Sequence, residues 1–147
     1  MRIAVLNGPN LNLLGVREPE KYGHASLADV EARLAVVARE LGAEIECAQF
    51  NGEGQLIVAV HALRGRVAGA LVNGGAYSHS SLALRDALVG VSVPFVEVHV
   101  TNVYAREPER RHSMLAPAAL GCVVGLGAHG YELALRGLVA ALRERGA

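Results

Sequence analysis

Two stretches of this chain carry side chains able to move protons. The first is Leu14-Gly15-Val16-Arg17-Glu18-Pro19-Glu20-Lys21-Tyr22-Gly23, a charged loop bounded by glycines. It follows an apolar strand ending Leu6-Asn7-Gly8-Pro9-Asn10, and a helix start is not reached until near Ser26. That connection far exceeds the ~2–6 residues usual between a strand and a helix, which marks a lid or binding loop. A phenol is protonated at neutral pH, so a tyrosine acting as a base needs cations beside it to favour the phenolate. Arg17 lies in the same loop as Tyr22, and Arg106 follows the fourth predicted strand. Both stay charged where a lysine could lose its proton. A solvated surface loop would also tolerate this pair. The second stretch is Glu97-Val98-His99, whose two polar side chains share one face of a strand. A carboxylate beside an imidazole fixes its tautomer and makes it usable as a general acid. A structural Glu–His pair at a sheet end fits equally well.

Other polar residues offer binding rather than chemistry. Asn73-Gly74-Gly75 could turn backbone N–H groups toward a carboxylate, or could be an ordinary tight turn. Asn10 has a neutral amide suited to orienting a water or hydroxyl, although Asn after Pro is also common turn chemistry. His79 precedes helix-capping serines and could donate to a hydroxyl, and Arg110 could hold an anionic or polyhydroxylated ligand. His24, His61 and His129 read as surface or structural. No HxxxH, HExxH or clustered Cys/His spacing points to a metal. The one lysine, Lys21, sits among charges rather than in an apolar segment, which argues against Schiff-base chemistry. There is no P-loop either.

These residues need a scaffold, and the chain alternates strand-like and helix-like segments throughout. Strands are predicted at Arg2–Leu6, Glu44–Phe50, Ala70–Asn73, Phe95–Val100 and Cys122–Leu126. A first helix starts at the N-cap Ser26, with Asp29 three residues on, and closes at Gly42. Others run from Glu53 to Arg64, from Ser80-Ser81 to Gly90, and from about Tyr131 to Arg145. Thr101 to Gly121 reads as loop plus a short helix. The alternation predicts an α/β fold: one flavodoxin-like domain over residues 1–147, a five-stranded parallel sheet in order 2-1-3-4-5 with helices on both faces. In that order strands one, three and four are neighbours, so Asn7/Asn10, Asn73 and Glu97/His99 converge where such folds bind ligands.

A hydrophobic share of 52% suits strands covered on both faces or burial in an oligomer. Zero formal charge without basic runs disfavours nucleic acid and anionic membrane as partners. No run reaches the ~18 apolar residues of a spanning helix, and no signal peptide is expected. Cys47 and Cys122 lie in separate apolar segments, read as buried reduced thiols of a cytoplasmic protein.

The chain resembles the type II 3-dehydroquinate dehydratases over essentially its whole length. The matching stretches are Asn7-Gly8-Pro9-Asn10-Leu11, Arg17-Glu18-Pro19 with Tyr22-Gly23, Asn73 through Ser81, and Leu84-Arg85-Asp86-Ala87. They continue through Val96-Glu97-Val98-His99, Asn102-Val103, Ala105-Arg106-Glu107, Arg110-Arg111-His112-Ser113 and Gly125-Leu126-Gly127. The resemblance implies reversible dehydration of 3-dehydroquinate to 3-dehydroshikimate, a shikimate-pathway step toward the aromatic amino acids, with no metal or organic cofactor. It further implies a homododecamer built as a tetramer of trimers. By the same resemblance Tyr22, with Arg17 and Arg106 beside it, would remove the C2 proton, and Asn10 would help hold a water on the developing enolate. His99, oriented by Glu97, would protonate the departing C1 hydroxyl. Asn73 and the backbone N–H groups near Val100 and Thr101 would bind the carboxylate, His79 and Arg110 the ring hydroxyls, and Asp86 would enter from a neighbouring subunit. Thr101 stands where serine is usual, Glu109 where phenylalanine is usual, and Phe50 and Gly52 replace more usual polar residues.

The competing reading is a non-catalytic flavodoxin-like ligand-binding module. A phosphoryl receiver would want acidic residues where Asn7, Asn10 and Asn73 stand. A flavin carrier would want hydroxyls in Gly8-Pro9-Asn10-Leu11-Asn12.

Overall fold

Side-chain alternation along the central strands decides how the layers stack. In the computed structural model, which describes residues 1–146, strand β1 (Arg2–Asn7) sends Ile3 and Val5 to one face and Ala4 and Leu6 to the other. Both sets are buried, as expected of a strand covered on both sides. β3 (Gly69–Asn73) and β4 (Phe95–His99) repeat the pattern. Leu71, Val96 and Val98 join the first face, and Ala70, Val72 and Phe95 the second. With β2 (Glu44–Gln49) and β5 (Gly121–Val124) at the edges, the five strands form one parallel sheet in the predicted order β2-β1-β3-β4-β5.

Helices α2 (Leu27–Glu40) and α6 (His129–Glu144) cover the first face through Val30, Leu34, Leu135, Leu138 and Leu142. Helices α3 (Glu53–His61) and α5 (Leu82–Val91) cover the second through Leu56, Val60, Leu84 and Leu88. Each such aliphatic side chain contributes roughly 1.5–3 kcal/mol on burial. The predicted cap of α2 is a reciprocal box. Ser26 Oγ accepts the Asp29 N–H at 3.1 Å, and Asp29 Oδ2 accepts the Ser26 N–H at 3.0 Å. Gly42, at φ +67°, ends that helix. None of the described helices is long and apolar enough to cross a membrane.

The structure corrects several boundaries. The charged loop contains a one-turn helix, α1 (Pro19–Tyr22), and a second, α4 (Tyr77–Ser80), precedes α5. α3 stops at His61 rather than Arg64, followed by a turn that uses Gly65 at φ +71°. β2 ends at Gln49 and β4 at His99, each one residue short of expectation. β5 ends at Val124, because Gly125 and Leu126 take φ of +89° and +71° and leave the ladder. Thr101–Gly121 holds three 3-10 turns, Val103–Ala105, Pro108–Arg110 and Ala116–Ala118, in place of a short α-helix. Pro108 starts the second of these turns and Pro117 is the middle residue of the third, and a helix running through either would lack an N–H donor. Cys122 is exposed, not buried, because β5 is an edge strand. Cys47 is partly buried on the opposite edge, and both thiols are free.

Candidate active site

β1, β3 and β4 end side by side, and their last residues form the floor of a cleft. Asn7 and Asn73 are register partners and point toward α6. Between them lies the buried Tyr131. Its hydroxyl donates to Asn7 Oδ1 at 2.6 Å and accepts from Asn73 Nδ2 at 2.8 Å. Burial pushes the Tyr131 phenol above its usual range, so it serves as a neutral hydrogen-bonding group. Asn73 Oδ1 accepts the Gly75 N–H at 3.1 Å, which fixes the amide's orientation. The two turns leaving these strands interlock. Gly8 N–H donates to the Asn73 carbonyl at 2.7 Å, and a Cβ on Gly8 would lie 2.4 Å from the Gly74 carbonyl oxygen. Only glycine permits that approach.

The glycine-bounded loop arches over one side. Gly15 and Gly23 take φ of +88° and +81°, reversals that an L side chain would strain. Glu18, itself at φ +39°, braces the segment through Lys21 at 3.0 Å and Arg17 at 3.6 Å. Tyr22 is half-buried at the end of α1, and Arg106 Nη1 donates to its hydroxyl at 2.7 Å. The guanidinium carbons of Arg17 and Arg106 each lie 5.1 Å from the Tyr22 ring centroid. The same Arg106 nitrogen approaches Thr101 Oγ1 at 3.3 Å. The Arg106 carbonyl is gripped by the Arg111 fork at 3.0 and 2.7 Å. Arg111 therefore builds the turn that aims Arg106. Arg110 pairs with Glu107, whose carboxyl is held down to about 2 by that hydrogen bond.

On the far side Glu97 and His99 face α5. Glu97 is 2% exposed, and its Oε1 lies 3.3 Å from His99 Nε2, leaving Nδ1 as the nitrogen available to the cleft. Burial works to raise the Glu97 carboxyl. The hydrogen bonds from His99 and Ser113 outweigh it and hold the group below the ordinary carboxylate range. His79 stacks on His99 with ring centroids 5.6 Å apart. His79 Nδ1 lies 2.8 Å from the His112 carbonyl, which can only accept, so Nδ1 carries the hydrogen and Nε2 is a free acceptor. Burial, the larger influence, pushes His79 below its usual range and keeps it neutral.

The cleft enclosed by these walls has a volume of about 140 Å³. Asn10, Arg17, Tyr22, Asn73, His79, His99, Val100, Thr101, Arg106 and Arg110 all line it. Glu97 stands directly behind His99. Glu109 is exposed, and Arg110 still reaches the cleft beside it. Asp86 lies outside, on the exposed side of α5 in a shallow depression with His61 and Arg64. Two residues of the site are not legible in the sequence: Tyr131, which lacks any local motif, and Asn51, whose Oδ1 accepts the Asn10 N–H at 3.0 Å.

A flavodoxin-like chain with a phenol, an imidazole and paired guanidinium groups at its switch point has the side chains that acid–base chemistry needs. The chain belongs to the dehydroquinase class II family, whose model matches residues 1–139. It is 61% identical over 142 residues to the 3-dehydroquinate dehydratase of Gemmatimonas aurantiaca, covering 97% of this chain and 93% of that one. It is 51% identical to catabolic 3-dehydroquinase 1 of Aspergillus terreus, with the same shares of the two chains covered. Among solved structures, type II dehydroquinase from Propionibacterium acnes superposes with a TM-score of 0.90 at 42% identity, covering 95% of this chain and 96% of that one.

Proposed function

We propose that this chain dehydrates 3-dehydroquinate to 3-dehydroshikimate, reversibly, as a shikimate-pathway hydro-lyase, with no metal or organic cofactor in the reaction. The observation that carries the reading is the 2.7 Å hydrogen bond from Arg106 to the Tyr22 hydroxyl, with Arg17 on the same ring. Arg106 gives that oxygen a charge-assisted hydrogen bond, and Arg17 brings a second positive charge over the ring. The Tyr22 phenolate takes the C2 proton, and the released electron pair moves onto the ketone oxygen as an enolate. Asn10 orients a water toward that oxygen. The enolate then returns its electrons to form the C1–C2 double bond while His99, oriented by Glu97, protonates the departing C1 hydroxyl as water.

The carboxylate is held by Asn73 and the backbone N–H groups at Val100 and Thr101. His79 accepts from a ring hydroxyl through its bare Nε2, and Arg110 donates to another. Residues 1–147 act as one catalytic unit. The exposed Asp86, remote from its own cleft, fits a homododecamer of four trimers in which it completes a neighbour's site. The free thiols suit a cytoplasmic setting. The test is formation of the conjugated enone absorbance from 3-dehydroquinate. Tyr22→Phe should lower turnover at least ~10³-fold, within the range for a lost general base, while circular dichroism is unchanged. Turnover by Tyr22→Phe close to the parent's would end the assignment.

A further inference from the structure

Glu97 is fixed by more than its histidine. Ser113, at the end of the loop that carries Arg106 and Arg110, donates to Glu97 Oε1 at 2.5 Å, a spacing suited to an ionised acceptor. The same hydroxyl accepts the Leu115 N–H at 3.1 Å and the Ala116 N–H at 3.0 Å. A serine hydroxyl has one hydrogen and two lone pairs. With both lone pairs engaged by amides, its single hydrogen has one destination, the carboxylate. A protonated Glu97 presenting its own hydrogen to Ser113 would find no lone pair free. The remaining group facing Glu97 is the Cys122 thiol from β5, 3.5 Å from Oε2. Its own proton is held tightly, the thiol being pushed up to about 11 by burial and by the carboxylate. Among the described residues His99, Ser113 and Cys122 are thus the hydrogen-bonding groups on this carboxylate, and all three can donate.

We infer that Ser113 is a positioning residue for the dehydration: it locks Glu97 as an anionic acceptor and so fixes the orientation and tautomer of the His99 ring. This rests on the reading of His99 as the general acid. The device also ties the arginine-bearing loop to β4, because one hydroxyl satisfies the turn's amides and the strand's carboxylate together. Without its donor Glu97 binds a proton more readily, and His99 loses its anionic partner at a higher pH.

The experiment is the pH profile of kcat and KM for Ser113→Ala, Ser113→Thr and Ser113→Asp, beside His99→Ala. Ser113→Ala should lower kcat about tenfold, the effect of one lost charge-assisted hydrogen bond, with KM within about twofold. The acidic limb of its profile should move to higher pH, and Ser113→Thr should restore both. Ser113→Asp keeps an acceptor for the two turn amides and removes the donor, which separates capping from positioning even if Ser113→Ala fails to fold. It should show a larger kcat loss and a larger limb shift. A folded Ser113→Asp protein with the parent's kcat and pH profile would overturn the inference, as would Ser113→Thr performing like Ser113→Ala. Near-normal turnover in His99→Ala would instead overturn the assignment of the acid, a different failure.

Discussion

Tyr22 and His99 face one cleft from supports of opposite kinds. The phenol stands on a single helical turn between two glycines in left-handed conformations, and its place is set by Arg106, which approaches from 84 residues away. The imidazole stands on β4, which is hydrogen-bonded to β3 on one side and β5 on the other, with a buried carboxylate behind it. Side-chain contacts hold the proposed base and the backbone ladder holds the proposed acid. Damage to the first should therefore cost chemistry with little stability, and damage to the second should cost both.

The largest expected effect tests the base side. Arg106→Ala removes the donor to the Tyr22 hydroxyl and should lower kcat about 10²–10³-fold, the scale of one lost oxyanion-type donor, read by the enone assay. A drop below about tenfold would mean Arg17 alone suffices, and the two sides would differ less than proposed. Next comes the contrast in stability. Glu97→Ala leaves the Ser113 hydroxyl and the His99 nitrogen without their acceptor and should cost about 1–3 kcal/mol in urea unfolding. Arg17→Ala should stay within about 0.5 kcal/mol. Equal losses would break the comparison.

The smallest effect is in pH. His79 and Glu97 both lie below their usual values, 6.5 and 4.5, in the folded protein. The unfolded chain then binds more protons between the folded and unfolded values, so stability rises with pH across each window. Below neutrality the His79 contribution should be lost first, and that of Glu97 at lower pH. Thermal unfolding from pH 7 to pH 4 should show a falling Tm, with the upper part of the fall absent in His79→Gln and unchanged in Arg17→Ala.

The contrast also explains what the sequence made legible. Glu97 and His99 share a face because a strand repeats every two residues, so their pairing could be read locally. The Ser26–Asp29 cap was equally local. The Tyr22–Arg106 contact joins loops 84 residues apart, so no local pattern announces it and only the family resemblance implied it. Tyr131 was invisible, since a tyrosine at a helix start looks like core until two strand ends place asparagines above it. Ser113 and Arg111 act through backbone groups of a loop whose shape depends on 3-10 turns no periodicity announces. Exposure of Cys122 depends on what covers an edge strand, which composition does not encode.

The interlocked turns beneath the cleft have a consequence for how such an enzyme can change. Because main chain meets main chain at Gly8 and Gly74, no side chain can grow into the cleft from below without prying two strands apart. Mutational libraries aimed at a new substrate should therefore succeed along the rim, at the hinged flap and the arginine turns, and return only misfolded protein from the base.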